Sequence, residues 1–143
     1  MKRDFMPWTD EYKASTKAWE DERESEAQRI QEERRMLVEA PYKTHKEYEE
    51  CLAKVGRELA HSNATVYEIA DAVLANCDRE FTNYQNARVA LETDGYTFAE
   101  NWNRAYKRAE SGSAEVRRQL RDQVIALVVE LRTPKGRGTA RIQ

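Results

Sequence analysis

Two cysteines offer the most specific chemistry in this chain. Cys51 stands thirteen residues before Ala64, and Cys77 thirteen residues after it. If the chain turns near Ala64 between antiparallel helices, this equal spacing puts both sulfurs at one height. Helix axes ~8–10 Å apart would then allow a disulfide-compatible Cα separation. Closing that loop would stabilise the fold by ~3–4 kcal/mol through the unfolded state. The alternative is a pair of free thiols buried as small apolar side chains, which a reducing compartment favours. The residues alone leave both readings open.

Other reactive types do not converge. His45 and His61 are the chain's two histidines, six and ten residues from Cys51. Along a helix that is about 9 and 15 Å, too far apart for a four-ligand metal cluster or a Cys–His catalytic pair. The carboxylates sit in charge-rich helical stretches, where a solvated face explains them. Gly136-Arg137-Gly138 lacks the strand–loop–helix setting of a phosphate loop. Asn63-Ala64-Thr65 matches a glycosylation acceptor, with meaning only in a secreted eukaryotic protein. No catalytic residue, metal ligand or cofactor is expected, and the chain reads as non-enzymatic.

The elements that position these residues read as helices throughout. Thr44-x-x-Glu47, Thr65-x-x-Glu68 and Thr97-x-x-Glu100 each match a capping box, hydroxyl first and carboxylate three residues on. Pro41, Asp94-Gly95 and Ser111-Gly112 look like breaks. The resulting expectation is five helices: 9–39, 45–60, 66–91, 98–110 and 114–131. The second carries Tyr48, Cys51, Leu52, Val55 and Leu59 on one stripe, and the third Ile69, Val73, Cys77, Phe81 and Tyr84. Phe98, Trp102, Ala105, Tyr106 and Ala109 form the inward stripe of the fourth. No segment alternates with period two, so no sheet is expected. The fold class is all-α: a long charged N-terminal helix plus a compact antiparallel bundle of about four helices containing an α-hairpin. The organisation expected is an aromatic segment and projecting helix over 1–40, a bundle over 41–131 and a basic tail over 132–143.

Composition narrows the function classes. The 143 residues are 35% charged and 40% apolar, with a net charge of -2. The longest apolar run, Val124 to Val129, is far short of a membrane span. Lys2 and Arg3 are followed by Asp4, Thr9, Asp10 and Glu11 rather than an apolar core, so no signal peptide is expected. Charge runs from acidic to basic. Residues 9–40 hold ten acids against six bases, while residues 132–143 hold four bases and no acid. Such opposed ends favour contacts between copies or with a charged partner.

Three surfaces could bind partners. Trp8, Tyr12 and Trp19 form an aromatic stripe at the start of the first helix. Ile125, Val128 and Val129 make the last helix apolar on nearly every side, so that half must be covered by its own domain or by another subunit. Arg132, Lys135, Arg137 and Arg141 suit an acidic protein face or nucleic acid. The leading expectation is a structural or adaptor subunit of a multi-protein assembly, homo-oligomeric or mixed, of the kind found in a viral or bacteriophage particle. One alternative is a nucleic-acid-binding accessory protein using the tail with Arg117, Arg118 and Arg121. Another is a periplasmic or extracellular binding module locked by Cys51–Cys77.

Overall fold

The computed structural model describes residues 8–134, with the side chains of Trp8 and Thr9 left aside. Four helices follow in order: α1 (Trp8–Leu59), α2 (Val66–Asn76), α3 (Asp78–Glu92) and α4 (Ala99–Arg132). No strand occurs among the described residues. The fold is an all-α bundle with a long first helix. The chain divides into two compact units, one ending at Met36 and the other beginning at Leu37.

In the first unit, α1 rests on local interactions. Asp10 and Glu11 lie in its first turn, where carboxylates suit the positive end of the helix dipole. Further on, Arg29 bridges Glu26 and Glu33, and Arg35 pairs with Glu32. The Arg29 guanidinium holds the Glu26 carboxyl below its ordinary range. These pairs are more than half exposed, so salt screens them and they support helicity only weakly.

The second unit has a core. Tyr48 and Leu52 of α1, Ile69, Val73 and Leu74 of α2, Cys77, Phe81 of α3 and Leu120, Val124 and Val128 of α4 pack into one buried cluster. Small residues let the helices approach: Ala105 and Ala109 of α4 are fully buried. Ser113 is also fully buried, and its hydroxyl donates back to the Ala109 carbonyl at 2.7 Å.

Three element boundaries differ from expectation. First, α1 runs straight through Pro41. Proline removes one backbone donor but its φ is helical, and the burial of Tyr48 and Leu52 holds the turns that follow. Thr44 therefore caps nothing: its hydroxyl donates back to the carbonyls of Ala40 and Pro41, at 2.7 and 3.3 Å. Second, the expected single helix over 66–91 is divided at Cys77, whose φ of -103° and ψ of 20° leave the helical basin. Its N–H still reaches Val73 and Leu74, and its carbonyl still accepts from Phe81. Third, α4 is continuous where Ser111-Gly112 suggested a break. Thr97 is not its cap: Phe98 takes that place, with no side-chain bond.

Only the Thr65 capping box forms. The Glu68 amide donates to the Thr65 hydroxyl at 3.2 Å, and the Thr65 amide donates to the Glu68 carboxylate at 3.1 Å. Gly95 turns the chain between α3 and α4 with a φ of 82°, a conformation that favours glycine.

Candidate functional site

Cys51 and Cys77 are bonded, with Cα atoms 6.0 Å apart across a separation of 26 residues. The bridge ties α1 to the α2–α3 junction. Cys77 is buried and Cys51 half-buried, with a Glu80 carboxylate oxygen 3.7 Å from the Cys51 sulfur. With both sulfurs bonded, neither cysteine is a nucleophile. His45 Nδ1 lies 2.8 Å from Glu49, and its ring meets Tyr84 edge-on at 5.4 Å. His61 is exposed in the turn after α1. Among the described residues no cluster of three or more metal-ligating side chains occurs.

The expected partner surfaces fare differently. Tyr12 and Trp19 are 61% and 55% exposed, and the Arg23 guanidinium lies 4.6 Å over the Trp19 ring. The side chain of Trp8 lies outside the described set. On α4, Val128 is a correction: it is fully buried in the core of its own chain and presents nothing to a partner. The helix turns it into the buried cluster, while Val129, one step round, is 49% exposed and Ile125 is half-buried.

The basic set also changes. Arg132 is not part of a tail: it closes α4 and reaches back across the bundle. Its Nε donates to the Ala60 carbonyl at 2.6 Å, and one terminal nitrogen donates to Ser62 and Ala64, each at 2.7 Å. Ala60 directly follows α1, at the negative end of its dipole, and Ser62 and Ala64 lie in the turn that leads to α2. The expectation that Arg132 binds an acidic partner or nucleic acid is therefore corrected to an internal cap. Lys135, Arg137 and Arg141 lie outside the described residues.

Arg117, Arg118 and Arg121 are engaged within the chain. Arg117 sits 4.9 Å over the Phe81 ring and 3.9 Å from Asp78, Arg118 pairs with Glu115, and Arg121 meets Asp71 at 3.1 Å.

Two features escaped sequence reasoning. The aromatics expected to face inward at the start of α4 are not covered: Phe98 is 75% exposed, and Trp102 stacks on Tyr106 with centroids 5.4 Å apart. The face of α4 that packs inward here is instead that of Ala105, Ala109 and Ser113, all fully buried. The second is a cleft beside Arg88. Its signal was Gly112, read as a break when the space it leaves is filled by the Arg88 guanidinium.

No helix among the described residues is long and apolar enough to cross a membrane. Comparison with protein-family models, with curated proteins and with solved structures finds no match to this chain.

Proposed function

We propose that this protein is a non-enzymatic structural or adaptor subunit of a multi-protein assembly. The disulfide-bonded bundle is its self-sufficient body, and the helix from Asp10 to Met36 is its docking segment for a helical protein partner. One observation carries the reading. From Asp10 to Met36 every side chain is exposed, apart from half-buried Thr16. A helix without a buried face gains nothing from packing.

Tyr12, Trp19 and Ile30 stand 7 and 11 residues apart. At ~100° per residue these steps return to within about 20° of one meridian. Large aromatics on one line suit a helix-on-helix interface, where they contribute most of the binding energy. The interspersed charges would set register and partner choice more than affinity.

Photo-crosslinking in the cells that make the protein tests this. A photoreactive residue at Trp19 or Ile30 should form covalent protein adducts. The same residue at Lys17, on the opposite side of the helix, should form few. Absent adducts, or equal yields from Lys17, would contradict the reading.

Within this class we favour a viral or bacteriophage particle component, supported by the high charge and the uncovered helix. A second reading, the periplasmic or extracellular binding module, is favoured by the Cys51–Cys77 bridge. Alkylation and mass spectrometry of the protein inside its cells separates the two: reduced thiols before release support an assembled particle, and oxidised ones support export. Arg117, Arg118, Arg121 and Arg132, the described cations of the nucleic-acid reading, each have a partner within the chain, so that reading is not the one we favour.

A further inference from the structure

We infer that the second unit holds a binding site for a dianionic phosphate group, in the cleft between the end of α3 and the first third of α4. This site is separate from the docking segment proposed above. Arg88, Glu92, Arg104, Lys107, Arg108 and Ser111 line an open cleft of about 600 Å³.

Its charges do not cancel. Arg88 and Glu92 pair at 2.7 Å, and Arg104 leans toward Glu100 at 3.3 Å. Lys107 and Arg108 have no carboxylate partner among the described residues, so two positive charges stay unbalanced at the rim. The Ser111 hydroxyl also makes no hydrogen bond there, unlike that of Ser113 two residues on.

The floor of the cleft is fixed in place. A Cβ at position 112 would stand 2.5 Å from Arg88 Nη1 and 2.6 Å from Nη2. A side chain at this position would therefore push the guanidinium off α4. Glycine inside a helix is unfavourable relative to alanine, and here it makes room for a cation. Arg88 Nη1 donates to the Tyr84 hydroxyl at 3.3 Å and Nη2 to Glu92 at 2.7 Å. Burial works against the Arg88 charge, but these two bonds outweigh it and hold its pKa above the ordinary value. A pinned guanidinium loses little freedom when a ligand arrives.

The donor set names the ligand class. Guanidinium forks, an ammonium and a hydroxyl suit a compact oxyanion with several oxygens. Two unbalanced charges match a phosphate dianion, free or as a monoester, better than a carboxylate or a phosphodiester, which carries one charge.

Nuclear magnetic resonance titration of the full chain tests this, at pH 8 and constant ionic strength, with inorganic phosphate and phenyl phosphate as probes. Saturable shifts should appear at Arg88, Lys107, Arg108 and Ser111. Tighter binding of inorganic phosphate assigns the site to the free anion, and tighter binding of phenyl phosphate to a monoester. The exposed double variant Lys107→Ala/Arg108→Ala should keep its fold and bind at least tenfold more weakly. Gly112→Ala should also weaken binding, with both rim cations intact. A triple variant of Lys135, Arg137 and Arg141 to alanine should bind as the parent does. Non-saturable shifts, full affinity in the double variant, or lost affinity in the tail variant would overturn the site.

Discussion

The two units of this chain share a helix and little else. Up to Met36, α1 buries no side chain among those described, and its visible support is an exposed ladder of Arg–Glu pairs. From Leu37 onward the same helix buries Tyr48 and Leu52, is bonded to Cys77, and has its last carbonyl region capped by Arg132. Helix formation is thus not what separates them. The second unit holds its helix by tertiary burial and covalent closure, whereas among the described residues the first rests on propensity, screened charge pairs and the Arg23–Trp19 contact.

Substitutions in the two units should therefore differ sharply. The largest effect is expected for Phe81→Ala, which removes a buried ring touching Tyr48 at a centroid distance of 5.5 Å and lying under Arg117. It should cost about 3–5 kcal/mol in chemical denaturation. Reducing Cys51–Cys77 should cost about 3–4 kcal/mol, measured as the shift in midpoint with and without reductant. Arg132→Ala should cost about 2 kcal/mol, because three carbonyls at the α1–α2 turn lose a charged donor. Trp19→Ala, in the first unit, should leave the unfolding midpoint within about 0.5 kcal/mol of the parent. A large loss there would erase the distinction between the units.

Tyr48 sharpens the contrast from inside the core. Its hydroxyl is buried without a hydrogen-bond partner. Burial pushes its pKa up, Arg117 pulls it partly back, and Asp78 adds to the rise. Below the ordinary tyrosine pKa of about 10 both states are neutral and this group contributes no pH dependence. As pH rises above that value the unfolded chain ionises first, so stability falls until the folded pKa is reached. Tyr48→Phe should remove that part of the alkaline loss and leave stability at pH 7 unchanged or slightly higher, read from denaturation at the two pH values.

Much of this was legible in the residues. Equal spacing about Ala64 placed Cys51 against Cys77, because a hairpin register is fixed by its turn and the Thr65 box starts α2 correctly. The stripes of Tyr48, Leu52, Ile69, Val73 and Phe81 became the core, since 3.6-residue periodicity reports burial directly. What stayed hidden depends on neighbours distant in sequence. Pro41 and Gly112 are helix breakers by intrinsic preference, yet packing carries the helix through one, and a guanidinium from α3 occupies the space at the other. Arg132 looked like the first residue of a tail because its acceptors lie some seventy residues upstream. Phe98, Trp102 and Tyr106 have the right period for a core, but the face that packs is that of the small residues Ala105, Ala109 and Ser113, which hydrophobicity does not single out.

Hydrogen–deuterium exchange on the purified full chain tests the central contrast most directly. Amides of residues 10–36 should exchange quickly and alike before and after reduction, while those around Ile69, Val73, Phe81 and Val124 exchange slowly and lose protection when the bridge is reduced. Equal protection of both units in a monomeric sample would contradict the account, because it would mean the first helix already has the cover that a partner is proposed to supply.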